Sequence, residues 1–190
     1  MKQLQQRRII LTGNPRIGKT TIVRRVLLAA KEKNLVIAGV MTPEILERGK
    51  RKGFQIVDLK SGKKGILASL EANNKHFSKW RVGRYRVHKE SLNEIAIPAI
   101  REVLEKSNAD LLVIDEIGKM EVLDANFAAL AMKAIGSDDY SFSTLATLGH
   151  GIPKSLRAIL EIDFIEKMHV EISNRDQIAK DLQKWIQEAG

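Results

Sequence analysis

The chain contains no cysteine, which excludes disulfides, thiolate zinc sites and cysteine nucleophiles. Its four histidines, His76, His88, His150 and His169, are scattered without metal-ligand spacing, so a metal site built from imidazole is not expected either. No run of about 18 apolar residues occurs, so no membrane-spanning helix is expected. Only Ile9, Ile10 and Leu11 separate the polar start MKQLQQRR from the Thr12-Gly13 turn, too short an apolar stretch for a signal peptide. A cytoplasmic location is the default expectation. Internal repeats and low-complexity tracts are lacking too.

What is present suits one soluble domain with a full-sized core: 190 residues, 44% hydrophobic and 29% charged. The net charge of +9 is concentrated in one place. Segment 48–89 holds 13 Lys/Arg against the two acids Asp58 and Glu71, a net +11, while the rest of the chain has 19 basic and 21 acidic residues, a net −2. Such a patch either attracts phosphate-rich partners, nucleic acid included, or forms a solvated face.

Apolar runs alternate with helical periodicity along the chain. Arg8–Thr12, 35–41, 109–114, 141–148 and 165–172 read as strands. Residues 19–33 carry apolar side chains at 22, 23, 26, 27 and 30, the helical period, and 123–135, 153–161 and 174–188 also read as helices. Ser91, with Glu94 three residues on, is an N-cap candidate for a helix to about Lys106 that Pro98 would kink. Residues 53–59 alternate like a half-buried strand, pairing with the 40s in an antiparallel flap. The whole predicts an α/β chain with a mainly parallel sheet of about five main strands, helices on both faces, and a basic β flap over 41–90.

Residues 13–20 read GNPRIGKT, the pattern G-x-x-x-x-G-K-[ST] between a strand and a helix. Such a loop turns its backbone N–H groups and the helix N-terminus toward a β-phosphate. Lys19 would reach the β and γ oxygens, and Thr20 would ligate Mg²⁺. A chance match in a chain of this length is on the order of one in a hundred. The candidate nucleotide-binding residues here are Gly13, Asn14, Pro15, Arg16, Ile17, Gly18, Lys19, Thr20 and Thr21.

The second motif is LLVIDEIGK over 111–119. A buried strand ending in two acids delivers them to the carboxyl edge of the sheet, where open α/β folds bind ligands. Asp115 would hold Mg²⁺ from a strand end, and Glu116 would orient or deprotonate an attacking water. Lys19 and Glu116 are thus the candidate catalytic residues, and Thr20 and Asp115 the metal pair. Thr144 and Thr147 lie on the next strand, where a polar side chain can sense a γ-phosphate, although strand threonines usually serve β-propensity. His150, just beyond, is either a loop residue or a ligand; Trp80 and Trp185 read as packing residues.

Beyond these motifs the chain resembles the small nucleoside-triphosphatases known as cancer-related or thermophilic nucleoside-triphosphate phosphohydrolases. The resemblance runs from about Ile9 to about Asn126. It rests most on IDEIGKME (114–121), and also on Thr42 and Glu44, on Arg51, Gly53 and Phe54, on Val82, Gly83, Tyr85 and Val87, and on Ile97 and Pro98. It implies a RecA-like core and slow Mg²⁺-dependent hydrolysis of several nucleoside triphosphates without sharp base selectivity. It marks 13–20 and about 111–118 as the nucleotide-binding stretches, which adds Leu111, Leu112, Val113, Ile114, Ile117 and Gly118 to the candidates. Two departures stand out. Arg16 replaces the family's usual glycine, and EIDFIEKM (161–168) stands where the family is arginine-rich. Asn174-Arg175 is offset from the family's Asn-Arg pair, and Arg157 is the nearest substitute for an arginine finger.

The expected activity is therefore hydrolysis of nucleoside triphosphates by a water activated at Glu116. Two rivals remain. A nucleotide or nucleoside kinase would hold its acceptor at Glu44 or Arg51 in the flap. A nucleic-acid-associated ATPase would use segment 48–89, with Phe54, Phe77, Trp80 and Tyr85 for stacking. No membrane partner is expected, and the oligomeric state is not readable.

Overall fold

The fold is that of a computed structural model that describes residues 4–70 and 80–189. Phe77, His76, Lys75 and Lys79 lie outside the described residues.

Five parallel strands form the centre, in the spatial order β10 (Glu166–His169), β1 (Arg8–Thr12), β9 (Ser143–Leu148), β8 (Leu111–Ile117) and β2 (Ile37–Met41). Their apolar composition follows from burial on both faces. Along β1 and β8, alternate residues join different cores. Ile9, Leu11, Leu111 and Val113 pack against α1 (Lys19–Glu32) and α6 (Arg175–Gln187) on one face. Ile10, Leu112 and Ile114 pack on the other face, in one core with side chains of α3 (Ile97–Lys106) and α4 (Ala125–Gly136). The strand period of two and the helical stripe therefore agree on both sides.

The sheet continues past β2 with reversed strand direction. β4 (Lys50–Asp58) runs antiparallel to β2, followed by β5 (Lys64–Leu70), β7 (Tyr85–Val87) and β6 (Arg81–Val82), with β3 (Glu44–Glu47) attached to β4. This is the expected flap, and its antiparallel pairing of the 40s with the 50s is present. Ile56, Leu67, Tyr85 and Val87 pin it to the core shared with α3.

Two local expectations need correction. The helix toward Lys106 starts at α2 (Lys89–Ser91), so Ser91 lies inside it and His88 takes the cap position, with no side-chain cap hydrogen bond. The hydrogen-bonded helix runs through Pro98 without interruption. A π-helical stretch, Leu92–Ala96, precedes it and places the proline in the first turn of α3, where its missing N–H is tolerated. The segment 153–161 divides into α5 (Lys154–Arg157) and a 3-10 turn, Ala158–Glu161.

Candidate nucleotide site

The loop from β1 to α1 closes at Gly18, whose φ of 116° belongs to the left-handed region that favours glycine, and α1 begins at the next residue. The first amides of a 14-residue helix thereby open onto the loop. Lys19 is buried, and its Nζ donates to the carbonyls of Gly13 (2.9 Å) and Asn14 (3.2 Å). Arg16 holds φ at 64°. The position where the family resemblance expects glycine thus does adopt the left-handed conformation, at a cost of roughly 1 kcal/mol for an L side chain.

The end of β8 comes to the same place. Asp115, buried at 3% exposure, accepts hydrogen bonds on Oδ1 from the hydroxyls of Thr20 (3.2 Å) and Thr147 (2.6 Å). Thr42 binds the backbone beside it: its hydroxyl donates to the Asp115 carbonyl (3.1 Å) and accepts from the Glu116 N–H (3.2 Å). Glu116 lies in a slot made by two glycines. A Cβ on Gly118 would fall 2.6 Å from Glu116 Oε1 and 2.8 Å from Glu121 Oε2, and a Cβ on Gly149 would fall 3.0 Å from Glu116 Oε1. Glu121 is buried beside this slot at 3% exposure and accepts from the Gly118 N–H (3.1 Å).

Burial dominates the electrostatics. It lowers the pKa of Lys19, against the attraction of Glu116 and Asp115. It raises the pKa of Asp115, against the hydrogen bonds from Thr147 and Thr20 and the charges of Lys19 and Arg24. Burial, then repulsion from Asp115, raises Glu116. Glu121 is pushed up to about 8 by burial and by the Glu116 charge, so it carries its proton at neutral pH.

These groups share one cleft of about 790 Å³ between the loop and the flap. Pro15, Arg16, Gly18, Lys19, Thr20, Thr21, Asp115 and Glu116 line it, joined by Arg24, Thr42, Glu44, Arg51, Phe54, Lys119, Glu121 and His150. Asn14 and Ile17 face a neighbouring depression with His169, Val170 and Ile172. Leu111, Leu112, Val113, Ile114 and Ile117 do not reach the cleft. They are buried in β8 at 3% exposure or less and serve as the stem that carries the acids. Gly118 contributes through the space it leaves. Thr147 points to Asp115 and braces it, and Thr144 donates to the Ala134 carbonyl (3.2 Å).

The comparisons with known proteins agree with this geometry. A family profile described as NTPase matches residues 8–183. A nucleoside-triphosphatase THEP1 of Thermofilum pendens is 36% identical over 179 residues, covering 93% of both chains. Its counterpart in Methanothermobacter thermautotrophicus is 32% identical, covering 90% of this chain and 91% of the relative. The crystal structure of THEP1 from Aquifex aeolicus superposes with a TM-score of 0.76 at 29% identity, covering 95% and 99%. A human cancer-related nucleoside triphosphatase gives 0.76 at 28%, covering 97% and 99%. The chain belongs to the nucleoside-triphosphatase family.

As a nucleoside-triphosphatase, the chain hydrolyses nucleoside triphosphates on a P-loop fold. The residues near the C-terminus where the family pattern is departed from find their places. Arg157 sits on α5, away from the cleft lining. Asn174 braces the loop after β10, donating to the His169 carbonyl (2.9 Å) and accepting from the Glu171 N–H (2.8 Å), while Arg175 reaches the Ile17 carbonyl behind the P-loop at 3.5 Å. Arg51 is held by Glu44 (2.6 Å) and by the Tyr85 hydroxyl (3.0 Å), and stacks on Phe54. Sequence reasoning missed three features: the Thr42 bridge, the buried Glu121 and the glycine slot. The only signals for them were the T-x-E and G-K-M-E matches, which say nothing about which atoms meet. Among the described residues, no helix is long and apolar enough to cross a membrane.

Proposed function

We propose that the whole chain acts as one P-loop unit in the cytoplasm and catalyses Mg²⁺-dependent hydrolysis of nucleoside triphosphates to diphosphate and phosphate. The observation that carries this reading is the position of the Glu116 carboxylate. It stands beside Asp115, in the same cleft as Lys19, and the Gly118–Gly149 slot fixes it. The oxygen donors of Thr20 and Asp115 fit a hard cation with near-octahedral demands. Among the described residues no cluster of three or more His, Cys, Asp or Glu forms a protein cage, which suits an ion that keeps waters and phosphate oxygens as its other ligands. When bound, Mg²⁺ supplies charge neutralisation at the β and γ oxygens.

The chain's own groups perform the rest. The loop amides and α1 N-terminus cradle the β-phosphate, and Lys19 turns from the Gly13 and Asn14 carbonyls to the β/γ oxygens. Glu116 orients a water for in-line attack and accepts its proton. The new O–P bond forms as the bond from the γ-phosphorus to the bridging oxygen breaks, and the diphosphate keeps that electron pair. Its raised pKa makes Glu116 a stronger base than an exposed carboxylate. The resemblance implies broad base use and slow turnover.

Calorimetry and single-turnover phosphate release on Glu116→Gln test the reading. Mg²⁺-ATP affinity should stay near wild type while the rate falls about 10²–10⁴-fold. A wild-type rate in this variant would overturn the water-activating role. A second reading, transfer to an acceptor, draws on the extension of the cleft to Glu44, Arg51 and Phe54. It gains if phosphate release requires an added nucleoside or nucleotide.

A further inference from the structure

The cleft contains a cation that the reaction described above leaves unused. Lys119 follows Gly118 directly after β8, is exposed, and lines the cleft with Glu116. Among the described residues it has no hydrogen-bond or ion-pair partner. Of the other cations there, Lys19 lies on the loop carbonyls and Arg51 on Glu44 and Tyr85, while Arg24 adds its charge near Asp115 from α1. Arg16 belongs to the P-loop itself.

The path of the Lys119 side chain is shaped by a glycine. A Cβ on Gly151 would fall 2.7 Å from Lys119 Nζ and would also collide with Cε. The two loops after β8 and β9 pack closely enough that a Cβ on Gly149 would meet Gly118 Cα at 2.9 Å. One pair of loops therefore carries both the Glu116 carboxylate, between Gly118 and Gly149, and the Lys119 ammonium, across Gly151.

We propose that Lys119 is a further catalytic residue, whose ammonium approaches the γ-phosphate oxygens from the β8–β9 loops while Lys19 approaches from the P-loop. It takes the electrostatic part that an arginine finger plays in other phosphoryl-transfer sites, neutralising charge spread over the transferring group. The proposal rests on the hydrolytic reading, and it explains how the site is completed although Arg157 stands apart and 161–168 contains no arginine.

Steady-state kinetics with Mg²⁺-ATP on Lys119→Ala, Lys119→Arg, Gly151→Ala and the Lys119→Ala/Gly151→Ala pair test it. A preorganised donor to developing charge contributes about 10²–10³-fold, and an exposed, flexible lysine should fall below that. Lys119→Ala should lose about tenfold to hundredfold in kcat with KM within about threefold, the mark of an interaction made in the transition state. Lys119→Arg should retain most of the rate. The methyl of Gly151→Ala should displace the lysine tip and slow the enzyme, and beyond the strain of an L side chain at φ 74° it should cost less in the Lys119→Ala background than in the wild type. Wild-type kcat in Lys119→Ala, a rise in KM alone, or an additive loss in the pair would each overturn the proposal. Glu116→Gln, measured in parallel, separates the two readings. A dead Glu116→Gln beside a fully active Lys119→Ala keeps the hydrolytic reading and removes the lysine. The reverse pattern keeps the lysine and removes the water-activating glutamate.

Discussion

The two halves of the sheet solve different problems with the same hydrogen-bonded ladder. In the parallel half, β8 and β9 are almost wholly buried and end in groups that face one another: Asp115 with Thr147, and Glu116 with Gly149. In the antiparallel half, β3, β4 and β5 are largely exposed or half-buried, and nine of the eleven described Lys/Arg of segment 48–89 are exposed. Burial on both faces fixes strand ends to within fractions of an ångström, which chemistry requires. A half-solvated flap can carry charge and shape the cleft wall without meeting that tolerance.

If this contrast is right, the largest losses belong to the parallel half. Lys19→Ala removes the ammonium held on the Gly13 and Asn14 carbonyls, and turnover should fall by on the order of 10³-fold, with weakened triphosphate binding. A variant as fast as wild type would remove the P-loop from the site. Gly118→Ala should come next. Its methyl would press on the Glu116 and Glu121 carboxyl groups at once, and misplacement on that scale costs about 10²-fold. Single-turnover rates with unchanged nucleotide affinity are the expected result; an unchanged rate would show that the slot does not set the position of Glu116.

Glu121 sharpens the same point through stability. Its folded-state pKa of about 8 stands above its ordinary value of 4.5. Between those values the folded protein holds a proton that the unfolded chain has released. The stability this group permits is intact below about pH 4.5 and is lost progressively as pH rises to about 8. Glu121→Gln lacks that titration. Its melting temperature relative to wild type should climb from about pH 5 to about pH 8 and level off above. A pH-independent difference would mean the carboxyl is not held in its neutral form.

Smaller effects should come from the loop and the flap. Arg16→Gly relieves the left-handed φ and should stabilise by about 1 kcal/mol, with turnover changed less than about tenfold, a span of 1.4 kcal/mol. A greater loss would place the guanidinium in the chemistry. In the flap, the double variant Lys50→Glu/Lys64→Glu should leave turnover within about twofold and abolish any low-salt binding of labelled single-stranded RNA. RNA binding by the wild type that persists at physiological salt would raise the nucleic-acid reading and narrow the contrast between the halves.

The sequence by itself determined the P-loop, the five parallel strands, the flap pairing and the acids at the end of β8. Each of these is written in residues adjacent in the chain: GNPRIGKT, the period of two or 3.6, and LLVIDE. It also marked Arg16 as the position where a left-handed φ was at stake. It misplaced the start of the helix at 89–106 because a π-helical stretch, absorbing Pro98, has no simple sequence period. Likewise, 111–118 as a motif could not separate the buried stem from the residues that meet the cleft. Only the tertiary structure decided that Thr147 and Thr20 meet on Asp115, that Glu121 is buried beside Glu116, and that Lys119 crosses Gly151. Those meetings depend on β9 being inserted between β1 and β8. A crossover order brings Asp115 to Thr147, 32 residues away, and to Thr20, 95 residues away, and no local periodicity records it.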